Sequence, residues 1–168
     1  DEDQFIAQSY DFRETVYCLN GANGKTLWKN ESDSHYTRFP QSGSPTVANG
    51  KLFILGAGRH VRCLDALSGD DLWKIKLSGD FRDEFWQSSF VVEDGLAVFL
   101  CGRLTAVDVK DGSIVWDVDT KGPHSTANGV AGSGGSLKGA GVTVINGWVY
   151  VASAYGLWGI PGNVLLAY

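Results

Sequence analysis

Residues 63–73, CLDALSGDDLW, recur twice in the same register, as CLNGANGKTLW at 18–28 and as AVDVKDGSIVW at 106–116. The three versions share a small residue (Cys18, Cys63, Ala106) and an Asn or Asp two later (Asn20, Asp65, Asp108). A glycine follows after four more (Gly24, Gly69, Gly112), then a tryptophan after another four (Trp28, Trp73, Trp116). The tryptophans stand 45 and 43 residues apart. Self-similarity at such a period marks a repeat architecture, in which each unit buries its faces against its neighbours.

Each unit reads as β structure. Short apolar, β-branched runs flank the glycine, such as Val61–Leu64 and Leu104–Val107 before it and Ile114–Trp116 after it. Asn23-Gly24, Ser68-Gly69 and Asp111-Gly112 are expected to make tight turns between third and fourth strands, because glycine accepts a positive φ. An earlier hairpin is expected at Asn49-Gly50, Asp94-Gly95 and Asn146-Gly147. Four strands in about 43–45 residues is the arithmetic of a propeller blade. The tryptophan is expected to cover the gap between neighbouring blades, and the Asn or Asp to cap its turn through the side chain. The repeated positions are therefore architectural.

In chain order, the 168 residues divide into a partial blade at 1–30, with Gln4–Ser9 as a strand, and full blades at 45–78 and 88–119. A Gly/Ser-rich insertion at 121–140 and a partial blade at 141–168 follow, the latter stopping one residue before the expected Asp. That is about half of a seven- or eight-bladed ring. Cut edges expose unpaired strand and apolar faces, so the expected partner is another propeller segment or chain completing the ring, or a second copy. A closed four-bladed ring is the alternative, but both ends supply middle strands and neither fills the other cleanly.

The small-x-Asp-x-x-x-Gly-x-x-x-Trp pattern resembles the tryptophan-docking repeat of pyrroloquinoline-quinone (PQQ) type propellers. That family holds quinoprotein alcohol dehydrogenases and non-enzymatic relatives in outer-membrane assembly. Asn128-Gly129-Val130, Gly134-Gly135-Ser136, the Asn146-Gly147 turn with its VYVAS strand, Tyr155-Gly156 and the run Pro161–Ala167 resemble the C-terminal part of polyvinyl-alcohol-dehydrogenase-like proteins. The resemblance implies an all-β, PQQ-like β-propeller segment of four-stranded antiparallel blades. It also implies oxidation of an alcohol by hydride transfer to PQQ at the propeller axis, aided by Ca2+. The alternative is a non-catalytic propeller that binds a small molecule, glycan or protein on its variable-loop face. No residue is assigned a catalytic role: the sequence contains neither the adjacent cysteines nor the CxxCH of such enzymes, and no calcium motif is matched.

Length variation points to one face. Trp28 to Asn49 and Trp73 to Asp94 are both 21 residues, whereas Trp116 to Asn146 is 30. The extra length falls in KGPHSTANGVAGSGGSLKGA, residues 121–140, and the loop from Tyr155 to Asn163 is expected to adjoin it. Together they nominate His124, Ser125, Asn128, Ser133, Ser136, Tyr155 and Trp158 as a ligand-binding rim, with rings stacking on a polyhydroxylated ligand and hydroxyls or amides hydrogen-bonding to it. The bland reading of the same stretch is a Gly-rich wrap with His124 solvated.

Other signals are weaker. His35 and His60 lack metal-ligand spacing, and no metal site is expected. His124 and Ser125 are sequence neighbours and no oriented nucleophile–base pair. Arg82, Asp83, Glu84 and Trp86 read as a mixed-charge surface loop. Cys18 and Cys63 stand at equivalent positions of successive blades, too far apart to bridge, and read as small buried hydrophobes. Asn30-Glu31-Ser32 matches a glycosylation sequon in a loop. A net charge of −5 with scattered lysines excludes the basic stripe that nucleic acid or a polybasic membrane contact needs, and no apolar run reaches membrane-spanning length. The acidic start Asp1-Glu2-Asp3 fits a processed chain that is secreted or periplasmic.

Overall fold

The computed structural model describes residues 15–32, 44–79, 88–137, 141–153 and 160–168. Strands β1 (Thr15–Leu19) and β2 (Thr26–Glu31) form a two-stranded sheet. Strands β3 (Thr46–Ala48), β4 (Lys51–Gly56), β5 (His60–Asp65) and β6 (Asp71–Lys76) form a four-stranded antiparallel meander. A second such meander contains β7 (Val91–Glu93), β8 (Leu96–Leu100), β9 (Leu104–Asp108) and β10 (Ile114–Val118). A two-stranded ribbon follows, β11 (Gly122–His124) with β12 (Gly132–Gly134). The last sheet has three strands, β13 (Thr143–Ile145), β14 (Trp148–Ser153) and β15 (Val164–Ala167). The arrangement is an all-β propeller segment with four blades represented. The expected strand Gln4–Ser9 lies outside the described residues.

Asn49-Gly50, Asp94-Gly95 and Asn146-Gly147 close true two-residue hairpins. Both residues of each pair take positive φ: 51° and 73°, 48° and 81°, 52° and 77°. Such a turn matches the right-handed twist of the strands it joins. The turns after β1, β5 and β9 are longer than expected. Gly69 N–H donates to the Asp65 C=O at 2.9 Å and Asp65 N–H to the Asp70 C=O at 2.8 Å, so five residues, not two, link β5 to β6. Of the expected turn pair only the glycine has a positive φ, 80° at Gly69. The acidic residue explains the difference, because the Asp65 carboxylate accepts from the N–H of Leu67 (2.8 Å) and Ser68 (2.9 Å) and holds the wider loop. Asn20 and Asp108 do the same for Ala22 and Lys110.

The core lies between blades. Phe53, Leu55, Val61 and Cys63 of one meander pack against Ala97, Phe99, Cys101 and Val107 of the next, with Phe90 and Phe99 centroids 4.7 Å apart. Leu52, Ile54 and Leu64 meet Val16 and Trp28 on one side, and Val98, Leu100, Leu104 and Ala106 meet Val149, Val151 and Leu166 on the other. Alternate residues of each strand thus serve opposite neighbours, which is why the middle strands are apolar on both faces.

The tryptophans dock across these seams. The Trp28 indole lies over Gly69 and donates Nε1–H to the Ala66 C=O at 3.2 Å. Trp73 repeats this over Gly112, donating to the Val109 C=O at 3.2 Å. Register supplies the reason for the small residue of the pattern, since Cys18, Cys63 and Ala106 pair across the sheet with Trp28, Trp73 and Trp116.

Cys18, Cys63 and Cys101 are free thiols, and Cys63 and Cys101 are buried. Burial pushes the Cys63 thiol up to about 11, as suits a small apolar packing residue. No helix among the described residues is long and apolar enough to cross a membrane.

Candidate ligand-binding rim

The expected Gly-rich loop is partly ordered as the β11–β12 ribbon, in which Gly122, Pro123 and His124 pair with Gly134, Ser133 and Gly132. The ribbon is fixed to the last blade by a set of polar contacts. Ser133 N–H donates to Asn163 Oδ1 at 2.8 Å, and Asn163 N–H returns a bond to the Ser133 C=O at 3.0 Å. Ser136 N–H donates to the Ile160 C=O at 2.9 Å while its hydroxyl accepts from Ile160 N–H at 2.9 Å. Gly135 N–H donates to the Ser153 hydroxyl, and Thr120 Oγ1 donates to the Gly135 C=O at 3.3 Å. Gly135 is a glycine because a Cβ there would meet the Ile160 and Pro161 backbone. Leu137 anchors the far side through a bridge to Gly102 and packs in the core.

These bonds divide the nominated residues. His124 is half-buried and its Nε2 lies 2.8 Å from the Thr120 C=O, so it is held by the ribbon's own backbone. Ser136 spends its hydroxyl on Ile160. Ser125 and Asn128 are exposed, with Asn128 Oδ1 accepting from Val130 N–H at 3.2 Å. Ser133 is also exposed, its backbone engaged by Asn163. Tyr155 and Trp158 lie outside the described residues, as do His35, Arg82, Asp83, Glu84 and Trp86. His124, Ser133 and Ser136 thus share one ribbon docked on the loop before β15. Asn163, Thr120 and Ser153, which hold the ribbon in place, were not nominated. Their partners lie 15 to 30 residues away, and no local spacing signals such contacts.

A second polar cluster joins the first two blades. Arg62, only 2% exposed, makes a forked contact with Asp71 at 2.8 and 3.0 Å and donates to the Asn30 carboxamide. Asn30 Nδ2 in turn donates to the Gly69 C=O at 2.7 Å. The sequon asparagine therefore lies on β2 rather than in a loop, and its carboxamide bridges two blades. Arg103 pairs with Asp117 at 2.7 Å and Asp119 at 3.3 Å.

These contacts bear on PQQ and Ca2+. No group of three or more His, Cys, Asp or Glu among the described residues is placed to hold a metal. PQQ is a tricarboxylate, and the described arginines are committed to the chain's own acceptors: Arg62 to Asp71, Arg103 to Asp117, Arg59 to the Leu77 C=O. The described residues do not form a site for the quinone and its calcium.

The family model described as outer membrane protein assembly factor BamB matches residues 12–136. The quinohemoprotein alcohol dehydrogenase ADH-IIG of Pseudomonas putida is 29% identical over 129 residues, covering 72% of this chain and 17% of the relative. The polyvinylalcohol dehydrogenase of Sphingopyxis sp. (strain 113P3) is 38% identical over 78 residues, 40% of this chain and 12% of the relative. Among solved structures, BamB from Moraxella catarrhalis superposes with a TM-score of 0.60 at 19% identity, over 82% of this chain and 40% of that one. A europium-containing methanol dehydrogenase gives 0.50 at 22%, over 65% and 22%. The chain thus spans less than a fifth of the length of these curated relatives. With its blade geometry and this match, the chain belongs to the PQQ-like repeat family of β-propellers that includes BamB and the quinoprotein alcohol dehydrogenases.

Proposed function

We propose that the chain contributes blades and a rim to an alcohol-oxidising, quinoprotein-type propeller located in the periplasm or secreted. The observation that carries this is the match to an alcohol dehydrogenase over 72% of the chain. In this reading PQQ and Ca2+ are held at the ring axis by segments other than those described, because the described residues offer them no site. PQQ held there would supply a hydride acceptor for alcohol oxidation. The described residues supply the rigid blades, and the ribbon around Ser125, Asn128 and Ser133 presents hydroxyl and amide groups toward a polyhydroxylated substrate. The test is dye reduction by the native polypeptide that carries this sequence, with PQQ and Ca2+, using simple alcohols and polyvinyl alcohol. Quinone-dependent turnover is expected; a colourless protein inert to all of them refutes the reading.

A second reading has specific support. The family model carries the description of an outer membrane protein assembly factor, which supports a non-catalytic propeller that binds a protein, glycan or small molecule on the ribbon face. Under it, PQQ causes no spectral change and the protein co-purifies with a partner that Asn128→Ala releases.

A further inference from the structure

Two asparagines bear on the ribbon, and their hydrogen bonds show which half of each carboxamide is spent. Asn163, just before β15, accepts the Ser133 N–H on Oδ1 at 2.8 Å and donates its own N–H to the Ser133 C=O at 3.0 Å. Both backbone groups of Ser133 are thereby closed, while Ser133 itself is exposed. Within the ribbon Ser133 pairs with Pro123, so β12 is held by β11 on one edge and by Asn163 on the other. Among the described residues the Asn163 Nδ2 has no partner. The ribbon therefore takes from this side chain a single acceptor oxygen.

At the tip of the ribbon the carboxamide is divided differently. Val130 N–H donates to Asn128 Oδ1 at 3.2 Å, the Val130 C=O accepts from Thr126 Oγ1, and Gly129 N–H donates to the Thr126 C=O at 3.2 Å. The tip is thus held by its own side chains. A backbone N–H only donates, so the oxygen of the Asn128 carboxamide is fixed on Val130 and its NH2 group is left over. Among the described residues that NH2 has no partner, and neither do the hydroxyls of Ser125 and Ser133. All three residues are exposed. Residues 122–137 contain no Asp, Glu, Lys or Arg, so these groups are presented from a stretch without formal charge.

We infer that Asn128 is a specificity-determining donor, its NH2 meeting the oxygens of a neutral hydroxyl-bearing chain, and that Asn163 is the positioning residue that holds Ser133 for the same ligand. The inference rests on the reading of the ribbon as the face that meets a polyhydroxylated substrate. A ligand hydroxyl both accepts and donates, so it accepts from Asn128 and exchanges bonds with the serines in either sense. One chemical change separates the two roles. Converting Asn to Asp keeps an acceptor oxygen and replaces the NH2 donor by a second acceptor. At position 163 the group in use survives. At position 128 the bond that holds the tip survives, but the donor offered to the ligand is lost.

The test is equilibrium binding of short-chain polyvinyl alcohol to the native polypeptide that carries this sequence, with amide hydrogen exchange reporting on the ribbon. Asn128→Asp is expected to weaken binding about tenfold or more while the Val130 amide keeps its protection. Asn163→Asp is expected to bind as the unmodified protein does. Asn163→Leu is expected to lose protection at the Ser133 amide and to bind about threefold or more weakly. Undiminished binding by Asn128→Asp overturns the donor role, and so does equal loss in both aspartate variants, which is a charge effect alone. Undiminished binding by Asn163→Leu with the Ser133 amide exposed overturns the positioning role. Turnover of simple alcohols without binding of polyvinyl alcohol overturns this inference and leaves the alcohol-oxidising reading standing; binding without quinone-dependent turnover does the reverse.

Discussion

Replacing Gly69 by alanine separates two contributions that the repeat combines. Gly69 has a φ of +80°, and a Cβ there would lie 2.5 Å from Cε3 and 2.6 Å from Cδ2 of Trp28. Gly24 is the same position of the repeat with a φ of +70° and nothing within 4 Å of an added Cβ. Gly24→Ala therefore carries the backbone penalty alone, about 1–2 kcal/mol. Gly69→Ala carries that and displaces the indole, losing its bond to the Ala66 C=O, worth about 1 kcal/mol, and part of its apolar burial, about 1–2 kcal/mol. The expected difference between the two is about 2–3 kcal/mol, or roughly 4–12 °C in Tm for a chain of this size. Urea midpoints followed by tryptophan fluorescence measure it. In a Trp28→Ala background the clash is gone, and Gly69→Ala should fall to the cost of Gly24→Ala. Equal costs for Gly24→Ala and Gly69→Ala in the unmodified chain refute the docking argument.

Three further outcomes follow from the same contacts. Asp71→Ala takes the carboxylate partner from the buried Arg62 guanidinium and leaves it its bond to Asn30, and should cost about 1–3 kcal/mol in urea unfolding, toward the low end because Asp71 is itself half exposed; Arg62→Met, which removes the charge with the pair, should cost less. Backbone N–H donors hold the Asp65 and Asp111 carboxyls below the usual range, led by Ser68 and Ser113 respectively. Folded values below unfolded ones mean stabilisation that is complete above about pH 4 and lost as pH falls through the folded values, so denaturant midpoints should drop below pH 4 and Asp65→Asn should shallow that drop. The Cys63 thiol, raised to about 11 by burial, should resist iodoacetamide at pH 8 until the protein unfolds, while the less buried Cys18 reacts first; mass mapping of the alkylated peptides reads the order.

The parts of the fold legible in the sequence are those whose cause is local or periodic. Asn49-Gly50 and its two counterparts announce their hairpins because a two-residue turn with positive φ at both positions admits few other residues. The blade-to-blade tryptophan was readable because the same residue returns at a fixed interval, although its landing place was not. Trp28 finds Gly69 some 41 residues on, and only the stacking of blades reveals that the glycine of one unit is a turn residue for itself and a seat for its neighbour's indole. The same glycine misled the expectation of a tight turn, since the dipeptide rule ignores Asp65, whose carboxylate holds a wider loop. The rim was legible as extra length on one face but not as chemistry. His124 and Ser136 look in sequence like groups available to a ligand, yet each is bonded to backbone within the ribbon and its dock. A hydroxyl or imidazole in a Gly-rich insertion has two uses, and the choice is made by Thr120 and Ile160, which no spacing around His124 or Ser136 identifies. What remains exposed on the ribbon is Ser125, Asn128 and Ser133, the residues on which the proposed recognition of a polyhydroxylated ligand rests.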